Sequence, residues 1–147
     1  MRIYIASSWR NQLAVEALTM ILRERGHEVI SFVEQALDDE LVHDNTDWIW
    51  SESGEQKFHF DLNGACGSDL VIYIGPSGTD AWAEVGAAWG TGNRIIGFYA
   101  KGEGQGLMQR MMRSWHHDLA SLLAAVVHIE AEVDGIKWKG DETKNHL

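Results

Sequence analysis

The amino-acid sequence predicts a doubly wound α/β fold of three layers, with four or five parallel strands. Short apolar runs rich in β-branched residues occur at residues 2–6, 69–74 and 94–99, and each is bounded by Gly-rich turns or helical patterns. A strand, a helix, a glycine and a second strand follow one another within residues 2–33, which is typical of a βαβ unit. Since βαβ units join parallel strands, we expect a parallel, flavodoxin- or Rossmann-like sheet.

The individual elements follow from local signals. Apolar residues recur at helical spacing over residues 12–25, and Gly26 then stops the first helix. Asp118 is placed to cap the last helix, whose apolar residues also share one face. The predicted order is a strand at 2–6, a helix at 12–25, a strand at 28–33, a helix at 57–66, a strand at 69–74, a helix at 80–90, a strand at 94–99, a helical turn at 107–112, a short edge strand at 113–117 and a helix at 119–127.

Two stretches have no clear period. Residues 34–56 are acidic and include Trp48 and Trp50, which is consistent either with a lid over a site or with a plain surface loop. The tail from residue 130 is polar, and residues 140–147 are predicted to fray.

Composition limits the class of protein. The chain has 147 residues, the size of one domain spanning residues 1–147. Its formal charge of −10 argues against duplex nucleic acid or an anionic membrane as the main partner. The single cysteine, Cys66, excludes an internal disulfide, and no apolar run is long enough to span a membrane. We therefore expect a cytoplasmic protein.

Polar side chains collect where the first and third strands end. In a doubly wound sheet the carboxyl ends of these strands line one crevice. The first strand delivers Tyr4 and the loop at residues 7–11, whereas the third is followed by the loop at residues 75–80 and then by Glu84. Asp61 precedes the third strand, and we expect that it can reach the same crevice. Two carboxylates beside a phenol suit glycosidic chemistry, in which one carboxylate attacks or stabilises the anomeric carbon and the other assists with a proton.

Each of these residues also has a purely structural interpretation. Glu84 would stabilise the N-terminus of its helix, Asp61 could be a solvated or capping residue, and Tyr4 could be core. Arg10 at a helix start is commonly a solvated charge. Only their convergence in space distinguishes the two interpretations.

Other chemistries lack their motifs. There is no Gly-x-Ser-x-Gly elbow and no phosphate-binding GxxxxGK[ST] loop. The histidines, including the adjacent His116 and His117, do not have the spacing of metal ligands. The sequence therefore predicts neither a metal site nor a cofactor.

Three segments, IYIASSWRN, FDLNGACGSDLVIYI and GTDAWAEVGAAWGTGNRIIGFY, together resemble the nucleoside 2-deoxyribosyltransferase superfamily, which includes the 2′-deoxynucleoside 5′-monophosphate N-hydrolases. The resemblance covers roughly residues 2–99. It implies cleavage or exchange of an N-glycosidic bond, on a nucleoside or its 5′-monophosphate, through a glutamate nucleophile and a glycosyl–enzyme intermediate. It also implies a homodimer or higher homo-oligomer, in which Met108, Met111 and Met112 either contribute to a neighbouring subunit or only pack a helix.

The resemblance also implies roles for individual residues. Glu84, in AEVG, corresponds to the nucleophile. Asp61, in DLNGA, corresponds to the aspartate that contacts or protonates the leaving base, and Tyr4 to the tyrosine that orients the nucleophile. The residues that correspond to the 5′-phosphate cradle are Ser8, Trp9, Arg10 and Asn11, completed by Ser77 and Gly78.

Two positions depart from the family pattern. The transferases carry an aspartate where this chain has Gly78, and Asp80 brings a negative charge close to the expected phosphate. Arg10 favours a phosphate and Asp80 opposes it, so both nucleosides and monophosphates stay open as substrates. Two other classes also stay open, namely a nucleotide-binding or sensing module without catalysis, and an interaction protein that uses the Trp-rich region.

Overall fold

The structure, a computed structural model, describes residues 1–34 and 46–144. Its centre is a sheet of five parallel strands in the order β2-β1-β3-β4-β5. The strands are β1 Arg2–Ala6, β2 Glu28–Ser31, β3 Leu70–Ile74, β4 Arg94–Phe98 and β5 Ser114–His116. The prediction of a doubly wound α/β fold with four or five parallel strands is confirmed, and β5 lies at the edge as expected.

In the described part of the chain, four α-helices connect or follow the strands. They are α1 Gln12–Glu24, α2 Glu52–Cys66, α3 Thr79–Gly90 and α4 Leu119–Lys144. Short 3-10 helices occur at Trp9–Asn11, Phe32–Glu34, Thr46–Trp50 and Leu107–Met111. Within the described ranges, no helix is long and apolar enough to cross a membrane.

Alternate residues of each strand pack against opposite helical layers. Ile3, Ile5 and Ile72 belong to a buried cluster that includes residues of α1 and α4, whereas Tyr4 and Val71 belong to one that includes residues of α2 and α3. Burial on both faces explains why the strands are continuous apolar runs rather than alternating patterns. The candidate site lies on the side of α2 and α3.

Helix α2 begins earlier than the sequence predicts. Its cap is Ser51, whose hydroxyl accepts a hydrogen bond from the Gly54 N–H at 3.2 Å. The predicted start at residue 57 was therefore wrong, because the Ser-capped and mostly polar first turn shows no apolar period. Residues 34–56 were interpreted as a lid or a surface loop. Part of this stretch, residues 35–45, lies outside the described residues.

Two other boundaries also differ from the prediction. Strand β2 ends at Ser31, because the chain turns into a 3-10 helix at Phe32–Glu34. Helix α4 continues to Lys144 instead of ending at residue 127, so residues 140–144 are helical. Its buried stripe of Leu122, Val126, Ile129 and Val133 keeps helical spacing past the predicted end. Asp118 does cap this helix, since its Oδ1 accepts the Ser121 N–H at 2.8 Å.

Candidate active site

A cavity of about 320 Å³ opens at the carboxyl end of the sheet, beside β1 and β3. The chain leaves β1 toward β2 on one side and returns to β3 on the other, which makes this the topological switch point where doubly wound folds bind ligands. The lining residues come from the loops after β1, β2 and β3 and from helices α2 and α3. They are Ser7, Ser8, Trp9, Phe32, Trp48, Lys57, Asp61, Ser77, Gly78, Thr79, Asp80, Ala81 and Glu84.

Glu84 projects into this cavity from the second turn of α3. Its Oε2 atom is buried and has no hydrogen-bond partner within the described part of the chain. Burial, together with the nearby charges of Asp61 and Asp80, raises the pKa of Glu84 to about 8, although the Tyr4 hydroxyl acts in the opposite direction. A buried carboxyl with an unused oxygen is costly to retain, which makes Glu84 a candidate functional group.

Tyr4 connects the two carboxyl groups of the site. The residue is fully buried on β1, and its hydroxyl donates a hydrogen bond to Asp61 Oδ1 at 3.2 Å. Burial raises the pKa of Tyr4, and the adjacent charges of Glu84 and Asp61 raise it further, so that the phenol stays neutral. The phenol O–H can therefore donate a hydrogen bond to either carboxyl group, Asp61 or Glu84.

The position of Tyr4 depends on Gly64 in α2. A Cβ atom at Gly64 would lie 2.8 Å and 2.9 Å from two ring carbons of Tyr4. Helix α2 can approach β1 this closely only because residue 64 has no side chain. The same approach brings Asp61, three residues earlier on α2, within hydrogen-bond distance of Tyr4.

Gly64→Ala is expected to lower the free energy of unfolding by about 1–3 kcal/mol, the usual range for an overpacked core. Denaturant unfolding measures this change. Gly86→Ala is the matched control, because a Cβ there meets nothing within 4 Å and alanine favours a helix interior by about 0.5–1 kcal/mol. Equal stability of the two variants would show that Gly64 does not determine the packing of Tyr4.

Hydrogen bonds hold the loops after β1 and β3 together. The Asn11 side-chain amide donates to Ser7 Oγ at 3.0 Å, to the Ile74 carbonyl at 3.3 Å and to the Pro76 carbonyl at 3.0 Å. Ser7 Oγ donates to the Ile74 carbonyl at 2.7 Å. Asn11 therefore shapes the floor of the site and is not itself among its lining residues.

The N-terminus of α3 offers hydrogen-bonding groups to a ligand. Its cap, Gly78, has no side chain that could bond the first helical N–H groups. The hydroxyls of Ser8 and Ser77 are buried and have no partner among the described residues. Unpartnered hydroxyls beside an uncapped helix N-terminus suit an anionic group.

The structure brings together most of the residues singled out in the sequence. Ser8, Trp9, Ser77 and Gly78 line the cavity with Asp61 and Glu84, and Tyr4 lies directly behind the two carboxyl groups. Arg10, in contrast, is exposed and is not among the lining residues. Asp80 is exposed and lines the cavity, so its charge acts on the site.

The lining residues that the region between β2 and α2 contributes, and Lys57 on α2, were not predicted from the sequence. Phe32 follows β2, Trp48 precedes α2, and Lys57 lies four residues before Asp61 on α2. Four residues on a helix return to the same face, so Lys57 could have been inferred from Asp61. Phe32 lies in a stretch predicted as a strand and Trp48 in the stretch interpreted as a lid or a surface loop, so neither was assigned to the cavity lining.

No metal-binding cluster is seen here: in the described ranges, no three His, Cys, Asp or Glu side chains are grouped so that they could hold a metal ion. The candidate reactive groups of the cavity are Glu84 and Asp61, with Tyr4 directly behind them. A carboxylate that can attack, a second carboxyl group and a neutral phenol between them are sufficient for nucleophilic displacement with proton assistance.

Comparison with solved structures finds the same fold in two enzymes. A 2-deoxyribosyltransferase from Bacillus psychrosaccharolyticus superimposes with a TM-score of 0.66 and 23% identity, over 83% of this chain and 90% of that one. The Clostridium botulinum CMP N-glycosidase BcmB superimposes with a TM-score of 0.55 and 18% identity, over 86% of this chain and 98% of that one. No protein-family model and no curated protein sequence matches the chain significantly. The resemblance noted from the sequence is thus confirmed at the level of the fold.

Proposed function

We propose that this chain is an enzyme that cleaves or exchanges the N-glycosidic bond of a (deoxy)nucleoside or its 5′-monophosphate. The observation that carries the proposal is the contact network of Tyr4, Asp61 and Glu84 at the end of a cavity. The names of the two similar structures, a 2-deoxyribosyltransferase and a CMP N-glycosidase, support the same reaction class. A single domain over residues 1–147 is part of this proposal.

In the first step, a carboxylate oxygen of Glu84 attacks C1′ of the sugar. The bond between C1′ and the base nitrogen breaks, its electron pair stays on the base, and an ester forms between the sugar and Glu84. Asp61 hydrogen-bonds or protonates the departing base, and Tyr4 holds Glu84 in line. Attack by water on the ester then gives hydrolysis, whereas attack by a second base gives exchange; either step returns the Glu84 carboxylate.

A 5′-phosphate would bind at the N-terminus of α3. Ser8 and Ser77 supply the unpartnered hydroxyls, and the backbone at Gly78 supplies the helix terminus. We also assign Trp9, Arg10 and Asn11 to this subsite. Asn11 holds the loop after β3 in place through its hydrogen bond to the Pro76 carbonyl, and Arg10 lies at the protein surface. The negative charge of Asp80 disfavours a phosphate in this subsite. A comparison of the activity on nucleosides with the activity on their monophosphates therefore decides whether the subsite binds a phosphate.

The direct test is incubation with a panel of deoxynucleosides, ribonucleosides and their monophosphates, with chromatography of the released base. Release of free base, or of a new nucleoside when a second base is added, supports the proposal. A calorimetric titration that shows binding without base release at any pH supports the second candidate, a nucleotide-binding or sensing module. Two features of the cavity lining favour this candidate: Asp80 places a carboxylate beside the proposed phosphate subsite, and Gly78 stands where the transferases carry an aspartate.

Asp61→Asn is expected to reduce kcat/KM by about 100-fold, at the low end of what proton assistance provides. It also removes a charge that raises the pKa of Glu84. Because Glu84 must be ionised to attack, kcat/KM of the wild type should rise with pH up to about 8. In Asp61→Asn, this rise in kcat/KM should occur at a lower pH.

Glu55→Gln is the matched control, since Glu55 is an exposed carboxylate on the same helix. It should change neither kcat/KM nor the pH profile. If kcat/KM of Asp61→Asn rises over the same pH range as that of the wild type, the Asp61 charge does not act on Glu84.

A homodimer or higher homo-oligomer is also part of the proposal. Met112 is buried and Met111 packs in the cluster on the side of α2 and α3, which leaves only Met108, of the three methionines considered, exposed for an intersubunit contact. Light scattering coupled to size-exclusion chromatography tests the assembly.

A further inference from the structure

A lysine and three aromatic rings line one part of the cavity. The aromatic wall consists of Trp9, Phe32 and Trp48, and the rings of Trp9 and Phe32 meet edge to face with their centroids 4.9 Å apart. The Lys57 ammonium lies 5.8 Å from the centre of the Trp48 ring, within the range of a cation–π interaction. Flat apolar rings suit the faces of a nucleobase, whereas an ammonium suits its polar edge.

Lys57 lies one helical turn before Asp61 on α2, and both residues line the cavity. Among the described lining residues it is the one that carries a positive charge, against the carboxyl groups of Asp61, Asp80 and Glu84. The proposed function places Asp61 at the departing base, and Lys57 shares the helix and the cavity of Asp61.

We propose that Lys57 is a specificity-determining residue that donates a hydrogen bond to a carbonyl oxygen of the base, an inference that rests on the proposed function. An ammonium group has three donors and no acceptor, so it can pair with an oxo group but not with an exocyclic amino group. At the position that it contacts, such as C6 of a purine or C4 of a pyrimidine, the ammonium therefore favours an oxo group over an amino group. When the bond to C1′ breaks, negative charge spreads onto the same oxygen, where the Lys57 ammonium stabilises it.

The test compares two bases that differ at one position. Hypoxanthine carries an oxygen at C6 and adenine an amino group, and each is supplied as the 2′-deoxynucleoside and as its 5′-monophosphate. The wild type should have a higher kcat/KM with the hypoxanthine substrates. Lys57→Met should lower the hypoxanthine-to-adenine ratio of kcat/KM by about 10- to 100-fold, as expected for a hydrogen bond to a charged group.

Two further variants isolate the ammonium from side-chain packing. Lys57→Arg, which keeps a cationic donor, should restore most of the preference. Lys101→Met, at an exposed lysine outside the cavity, should leave the ratio unchanged. A ratio within about twofold of the wild-type value in Lys57→Met overturns the proposal, as does a wild type that prefers adenine. If Lys57→Met instead weakens monophosphates relative to nucleosides for both bases, the ammonium binds the phosphate and the assignment to the base is wrong.

A binding measurement separates this inference from the proposed function. Calorimetric titration with free hypoxanthine and free adenine needs no turnover. If no substrate is cleaved, the proposed function fails, but tighter binding of hypoxanthine that is lost in Lys57→Met still supports the role of Lys57. Equal binding of the two bases by the wild type, or binding of neither, overturns it.

Discussion

Glu84→Ala is expected to reduce base release by at least about 1,000-fold, equivalent to about 4 kcal/mol of activation free energy. The reason is that Glu84 supplies the proposed nucleophile, and no hydrogen bond from the described residues holds its buried Oε2 away from a substrate. Asp61 is already bonded to Tyr4 and is assigned to the departing base. Chromatography of the base released in single-turnover reactions measures the loss.

Two comparisons make this result specific to the nucleophile. Glu16→Gln removes an exposed carboxylate on α1 and should keep full activity. Formate added to Glu84→Ala should restore part of the activity, because the small carboxylate fits the space that the side chain leaves. Full turnover by Glu84→Ala on every nucleoside and nucleotide that the wild type cleaves would show that the mechanism is wrong.

Glu84→Gln is expected to stabilise the folded protein by about 3 kcal/mol at pH 7 while abolishing activity. The carboxyl has a pKa of about 8 in the folded chain against 4.5 in the unfolded chain. Between these values the folded state holds a proton that the unfolded state has lost, so the wild type loses stability as the pH rises from 4.5 to 8. Glutamine does not ionise, so the variant does not have this loss.

Unfolding in urea at several pH values measures the effect. The advantage of Glu84→Gln should be small below pH 4.5, grow up to about pH 8 and remain constant above it. Glu16→Gln, at an exposed carboxyl, serves again as the control and should track the wild type. Parallel stability curves for the wild type and Glu84→Gln would show that Glu84 ionises normally and is not held in a desolvated site.

The two predictions together mean that Glu84 lowers the stability of the fold at neutral pH and is at the same time required for activity. A desolvated carboxyl that resists ionisation weakens the fold at neutral pH, yet the same desolvation makes the carboxylate a stronger nucleophile once the proton has left. Asp61 contributes to both effects, because its charge raises the pKa of Glu84. A variant that is more stable and inactive would therefore support a functional rather than a structural role for Glu84.

Much of the candidate site could be predicted from the sequence because it depends on chain order. Tyr4 lies on β1, and Glu84 follows β3 by a loop and little more than one helical turn. Parallel strands bring these positions to one edge of the sheet whatever the details of packing. The place of Asp61 before the third strand predicts that it can reach the same crevice, but only the resemblance to a known superfamily distinguishes it from a solvated or capping carboxylate.

The direction of the Arg10 side chain could not be predicted from the sequence. The sequence places it in the loop after β1, beside residues that do line the cavity, but its side chain is exposed. Neighbouring residues in a tight 3-10 turn point in different directions, so that Trp9 lines the cavity and Arg10 does not. The sequence order of the loop does not encode these directions.

The sequence by itself determined the parallel α/β fold, the order of its elements and the convergence of Tyr4 and Glu84, because these follow from local hydrophobic patterns and short connections. Only the tertiary structure decided which other groups reach the cavity. Trp48 reaches it from the 3-10 helix Thr46–Trp50 and Lys57 from α2, and Asp61 meets Tyr4 because Gly64 permits a close approach. These outcomes depend on contacts between residues far apart in the chain, which local patterns do not record.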